Sequence, residues 1–168
     1  INDDEIIAFI NLSRDRNWQI RFIEFMPFDG NNWDRSMTVS LEAILKTAES
    51  HYGLSQIKRL KDAANDTAKN YKIDGFTGSF AVISTVTNPF CDSCNRLRLT
   101  ADGKLKNCLF SSNDYDLLSS FRNGESLDCV IDIALRDKFP ARAGLDDSNK
   151  FNNPDNHKDN RSMIAIGG

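Results

Sequence analysis

Three of the chain's four cysteines fall within Cys91–Phe110, which reads CDSCNRLRLTADGKLKNCLF and spaces its thiols C-x2-C-x13-C. A C-x-x-C pair lets two thiolates converge on one metal or cluster from a single turn. A third, distant cysteine joins them only if the chain between folds back. The intervening residues say how it does so. Arg96-Leu97-Arg98-Leu99-Thr100 alternates polar and apolar, the period of a half-buried strand, and Lys104-Leu105-Lys106 resumes that alternation. Ala101-Asp102-Gly103 is a three-residue loop with glycine last, where a left-handed residue is needed. Such a loop predicts the pairs Thr100–Lys104, Arg98–Lys106 and Arg96–Cys108, and cross-strand partners share a face. Cys108, Arg96 and Arg98 are therefore expected on one side of a hairpin, beside the Cys91/Cys94 turn. That arrangement is a metal centre with cationic neighbours.

The residues alone leave the metal open. A structural zinc site is closed by four protein ligands. The only histidines are His51, at the end of a predicted helix, and His157, in a very polar stretch, while Cys129 falls inside a helical pattern. Three thiolates without an obvious fourth partner suit an iron–sulfur cluster with one iron open to a ligand, since ordinary clusters take four cysteines. The same spacing admits a zinc staple completed by His157 or Cys129, in a non-enzymatic structural or interaction module, or three merely buried cysteines.

The stretch NPFCDSCNRLRLTADGKLKNCLF, Asn88–Phe110, closely resembles the C-terminal cluster motif of the molybdenum-cofactor biosynthesis protein A family, the GTP 3′,8-cyclases. Two further pieces match in order. Arg21-Phe22-Ile23-Glu24-Phe25-Met26-Pro27 looks like that family's last barrel strand, and Met163-Ile164-Ala165-Ile166-Gly167-Gly168 like its double-glycine terminus. The resemblance spans nearly the whole chain. It implies a radical S-adenosylmethionine enzyme that converts GTP to 3′,8-cyclo-7,8-dihydro-GTP towards molybdopterin. In it, Cys91, Cys94 and Cys108 would hold a 4Fe–4S cluster with an open iron. Arg96 and Arg98 would bind GTP, Leu97 contributing only its backbone. Met26 would contact S-adenosylmethionine, and Gly167 and Gly168 would form a tail entering the active site. The radical-generating C-x3-C-x2-C motif is absent from these residues. The expectation is thus a C-terminal fragment, inactive alone, that partners a missing N-terminal barrel, with a homodimer as a further possibility. Residues 1–53 would be the barrel's remnant and 54–168 the cluster domain.

Composition bounds the rest. At 168 residues the chain can bury a real core. A net charge of -3 argues against a nucleic-acid-binding module, for which a basic surface is the expected footprint. No signal peptide or long apolar run stands in these residues, so no membrane association is expected, and thiolate ligands suit a reducing cytoplasm.

The elements that must position the site follow in order, and their fold class is α+β. Asp3/Asp4 can cap a short helix with Ile6, Ile7, Phe9 and Ile10 on its apolar positions. Gln19–Met26 reads as a strand, near-continuously apolar as in a buried parallel strand. Glu24 interrupts it; Arg21 or a group outside these residues would partner the carboxylate, or the strand end is solvated. Met26, taken alone, is a core residue. Pro27–Met37 is a Gly/Asn-rich loop, the lip of a site. Ser40 starts a helix over Leu41–Tyr52 that Gly53 stops, with Leu41, Ile44, Leu45 and Ala48 on one face. His51 there complements the helix dipole when protonated. Antiparallel strands are predicted at Ser55–Lys61, Ala68–Ile73 and Gly78–Val86, and Asn88-Pro89 turns the chain towards Cys91. Helices follow at Asp114–Phe121 and Leu127–Lys138. The second has Leu127, Val130, Ile131, Ala134 and Leu135 as its buried stripe and Cys129 half-buried beside it. Leu145–Arg161, rich in Asp, Asn, Ser and Lys, is expected mobile or held only by its ends. The pair Asp146-Asp147 reads as solvated loop.

Overall fold

The computed structural model describes residues 2–166, so Gly167 and Gly168 lie outside the described residues. The described chain is α+β as expected, with one mixed and one antiparallel sheet. Its contacts gather into two units, Ile1–Met26 with Ser36–Phe90, and Pro27–Arg35 with Cys91–Gly168.

In the first unit, a 3-10 turn at Asp3–Glu5 leads into α1 (Ile6–Asn11). Neither N-cap position, Asn2 or Glu5, carries a side-chain cap, and Asp3 and Asp4 lie in the 3-10 turn that precedes α1 rather than at its cap. β1 spans Gln19–Ile23, and α2 spans Leu41–Tyr52 as predicted. Ser40 Oγ accepts the Ala43 N–H at 3.1 Å, and Gly53 ends the helix at φ 88°. β2 (Ile57–Arg59), β3 (Ala68–Ile73) and β4 (Ser79–Ile83) complete a sheet of order β1-β4-β3-β2. β1 runs parallel to β4, and the other pairs are antiparallel. Phe80, Ala81 and Val82 are fully buried at its centre, with Ile6, Ile10, Ile44, Ala48, Tyr71 and Ile73 joining the core.

Two sequence expectations change here. β1 is parallel but not buried throughout: Ile20 and Phe22 are half-buried while Ile23 is 59% exposed, because β1 closes one end of the strand order. Glu24 is buried, and its partner is neither Arg21 nor solvent. Its Oε2 accepts the backbone N–H groups of Val86 at 2.7 Å and Thr87 at 2.9 Å, and its Oε1 accepts the Thr87 hydroxyl. Arg21 instead donates to Gln19.

In the second unit, β5 (Arg98–Leu99), β6 (Lys104–Lys106) and β7 (Tyr115–Asp116) form the antiparallel sheet. The predicted helix at Asp114–Phe121 thus begins as a strand. Only Leu117–Arg122 is helical (α3), with the Asp116 carboxylate accepting the Ser119 N–H at 2.9 Å. α4 covers Leu127–Arg136. Of its predicted stripe, Ala134 is fully buried and Leu127, Val130 and Ile131 half-buried, but Leu135 is exposed and so is Cys129.

Leu145–Arg161, expected mobile from its composition, contains α5 (Ser148–Asn152) and a 3-10 turn at Pro154–His157. Phe151 is fully buried among aromatic rings, 6.0 Å from Trp33, 5.0 Å from Phe110 and 5.2 Å from His157 between centroids. One phenylalanine surrounded by rings supplies apolar contact that a count of polar letters overlooks. His157 is 2% exposed, its Nε2 2.7 Å from the Phe151 carbonyl oxygen and its Nδ1 without a hydrogen-bond partner. Burial holds its pKa below the ordinary 6.5. The unfolded chain therefore binds the proton first, and stability falls as the solution is acidified through and below the ordinary value. Thermal unfolding midpoints should drop between about pH 7.5 and 5.5, and His157→Gln should flatten that slope.

Candidate functional site

A 3-10 turn at Cys91–Ser93 brings the first two cysteines together, with the Cys94 N–H donating to the Cys91 carbonyl at 3.0 Å. The hairpin then returns the chain in the predicted register. Arg98 pairs with Lys106, and the Thr100 N–H donates to the Lys104 carbonyl at 2.8 Å. Its turn is held three ways. Gly103 takes φ 76°, the Thr100 hydroxyl donates to Asp102 at 2.5 Å, and the Lys104 N–H donates back to Thr100 Oγ1 at 3.0 Å. The ladder begins at Arg98, so Arg96 and Cys108 are not ladder partners.

Cys91, Cys94 and Cys108 are free, half-buried thiols. The Cys108 pKa is raised, first by burial, and the charges of Cys91 and Cys94 both push it further, while the Phe110 N–H and the Lys138 ammonium oppose them. Among the described residues no group of three or more His, Cys, Asp or Glu side chains forms a ready-made site for a metal ion. Four-coordinate zinc, with Zn–S bonds near 2.3 Å, would draw three sulfurs to about 3.8 Å of one another. A cluster attaches each thiolate to a different iron and so accepts a wider triangle. Three free, half-buried thiols with a lysine ammonium beside Cys94 are chemically suited to bind such a cluster as thiolates.

Around the cysteines, Arg96 and Leu97 are exposed and Arg98 is half-buried. Lys106 is not part of an open cationic face. It is buried, its ammonium held by the Ser111 carbonyl and by Asp114 at 3.3 Å. Asp114 also receives Arg161 at 2.5 Å, and Arg161 reaches Asp102 in the hairpin turn at 3.0 Å. Charges at 102, 161, 114 and 106 therefore alternate in sign along one chain of contacts. Lys138 lies just past α4 and was not singled out from sequence. Its ammonium donates to the Arg96 carbonyl at 2.9 Å and the Cys94 carbonyl at 3.3 Å, and stands 3.9 Å from Cys94 Sγ. No local pattern points to it, because its partners precede it by more than forty positions.

Met26 and His51 belong to the first unit, and Cys129 to α4 of the second. Met26 is buried in the first unit, at 7% exposure. His51 is exposed on the last turn of α2 against Tyr52. Cys129 is exposed on α4. Residues 27–33 of the Pro27–Met37 loop, read as a lip, line an open pocket of about 300 Å³ with Phe28, Asn31, Trp33, Pro154 and His157 among its walls. Among the described residues no helix is long and apolar enough to cross a membrane.

Comparison with known proteins identifies the relatives of the chain. The family described as Molybdenum Cofactor Synthesis C matches residues 18–143. The chain is 42% identical over its whole length to a mitochondrial GTP 3′,8-cyclase of Arabidopsis thaliana, of which it covers 42%. It is 44% identical over 82% of its length to molybdenum cofactor biosynthesis protein moc-5 of Caenorhabditis elegans, covering 23% of that protein. It is 36% identical over 99% of its length to a GTP 3′,8-cyclase of Peptoclostridium acidaminophilum, covering 48% of it. The chain therefore spans less than half the length of these relatives. With a match across the sheet of the first unit and the cysteine hairpin alike, the chain belongs to the Molybdenum Cofactor Synthesis C family.

Proposed function

We propose that the chain serves a GTP 3′,8-cyclase, with Cys91, Cys94 and Cys108 holding a three-cysteine 4Fe–4S cluster and Arg96, Leu97 and Arg98 meeting GTP. The observation that carries this reading is the backbone geometry: one hydrogen-bonded turn holds Cys91 and Cys94, and the hairpin paired at Arg98–Lys106 leads the chain back to Cys108. When bound, such a cluster supplies an iron with an open coordination position, able to accept a purine donor atom. The protein's own residues do the rest. Arg96 and Arg98 follow Cys94 by two and four positions, and their planar forks suit phosphate oxygens or purine acceptors. Leu97 between them offers only its backbone.

The same reading gives Met26 a contact with S-adenosylmethionine and makes Gly167 and Gly168 the active-site tail. Residues 1–53 then end a radical S-adenosylmethionine barrel, and 54–168 form the cluster domain of a cytoplasmic enzyme that can pair as a homodimer. Turnover requires the radical-generating cysteine motif, which these residues do not contain.

Anaerobic reconstitution with iron and sulfide tests the reading. The protein should turn brown, and Cys108→Ala should lose that colour together with its share of iron and sulfide. Arg96→Ala and Arg98→Ala should each weaken GTP binding by about tenfold or more, the scale of one charge-assisted hydrogen bond, with cluster content unchanged. A colourless protein carrying one tight zinc would overturn the cluster, and equal GTP affinity in both arginine variants would remove their role.

A further inference from the structure

We propose that Lys138 is a positioning residue for the cysteine site, whose fixed positive charge sets the reduction potential of the cluster bound there. The inference rests on the cluster reading above and adds a residue to it. Lys138 is half-buried, its ammonium held by the cysteine segment and its backbone by the end of α4. Towards the cysteines it spends hydrogen bonds on the carbonyls of Cys94 and Arg96 and stands 3.9 Å from Cys94 Sγ. Its charge also acts on Cys108. From behind, the end of α4 is fastened to the hairpin. Asn107, the residue before Cys108, donates to the Ala134 carbonyl at 2.9 Å, and the Tyr115 hydroxyl donates to Asp137 at 3.0 Å. The Lys138 N–H itself donates to the Leu135 carbonyl, which ties the residue to the helix's last turn. Lys138 is therefore not a solvated lysine that drifts near a thiol. Helix and hairpin are locked together immediately beside it.

A cation so placed does two things. It offsets part of the negative charge that three thiolates bring to one place, and it fixes the backbone carbonyls of Cys94 and Arg96, on which the direction of Arg96 depends. Reduction adds one more negative charge to a thiolate-bound cluster, and a nearby fixed cation in a half-buried site favours that form. Removing the charge should shift the potential downwards.

The test is an EPR-monitored redox titration of the full-length protein after anaerobic reconstitution, with iron and sulfide measured on the same samples. Lys138→Arg keeps the charge, and Lys138→Gln keeps a donor for the carbonyls without it. Lys138→Arg should retain the wild-type midpoint. Lys138→Gln should move one midpoint to a more negative potential at equal iron and sulfide, or lose that cluster while Lys138→Arg keeps it. An unchanged midpoint in a cluster-bearing Lys138→Gln protein would overturn the proposal. Loss of the cluster in both variants would do so as well, since shape rather than charge would then be what matters. If wild type takes up no cluster at Cys91, Cys94 and Cys108, it is the cluster reading that fails, a result distinguishable by the Cys108→Ala control.

Discussion

Gly78→Ala should cost the protein about 3 kcal/mol or more, beyond the usual range for one added methyl group in a packed site. A Cβ at this position would press far inside contact distance on the carbonyl oxygens of Trp18 and Arg16, and would lie 2.9 Å from the Trp18 nitrogen. These are backbone atoms and cannot swing aside as a side-chain tip does. They are also engaged: the Ser79 N–H donates to the Trp18 carbonyl at 2.9 Å, and the Gly78 N–H to the Ser13 carbonyl at 2.8 Å. The methyl group therefore pushes apart the two chains where β1 and β4 begin their parallel pairing at Gln19 and Ser79. Urea denaturation of the variant against wild type measures the loss. A difference below about 1 kcal/mol, within the range of ordinary surface changes, would mean that the segment before β1 yields easily.

Glu24→Ala should be the next most damaging change, at about 2–4 kcal/mol. The carboxylate is 3% exposed and serves two backbone donors and one hydroxyl on the segment after β4. Each buried donor that loses its acceptor forfeits roughly 1–3 kcal/mol. Glu24→Gln should fall between alanine and wild type. Its single carbonyl can replace one oxygen, but its amide group turns a donor towards Thr87, which also donates. The ranking Ala below Gln below wild type, read from denaturation midpoints, is the check. Equal loss in both variants would show that the charge, not the count of acceptors, is what the site needs.

What the letters disclosed depends on how far apart the partners lie. Ser40 and Gly53 bracket α2 with local chemistry, so the helix could be read to the residue. The hairpin was readable near its turn, where three loop residues dictate that Arg98 faces Lys106, but not out to Arg96 and Cys108, where the ladder has ended. The parallel pairing of β1 with β4 has no such local signal, and neither does the partner of Glu24, which lies 62 positions away at Val86. β7 was mistaken for helix since two residues are too few to show a period, and their strand character comes from pairing with β6. Lys106 stands at a polar position of the alternating pattern, with no letter beside it to mark it as buried. Only the fold reveals that Asp114 and Ser111 receive it inside. At the candidate site the three cysteines and two arginines announced themselves by spacing, whereas Lys138 and Arg161 act through contacts made across long loops.

The two units are interleaved along the chain, and this decides how the molecule can be cut. Residues Pro27–Arg35 belong with Cys91–Gly168 although the whole of Ser36–Phe90 intervenes. A gene fragment starting at Cys91 would carry the cysteine hairpin but leave behind Phe28 and Trp33, which pack on Phe110 and Phe151. A fragment ending at Phe90 would drag along a nine-residue loop stripped of its neighbours. Neither half is a contiguous excision. Isolating the cysteine-bearing unit therefore calls for rewiring the connectivity, with residues 27–35 spliced by a short linker to the start of the hairpin segment.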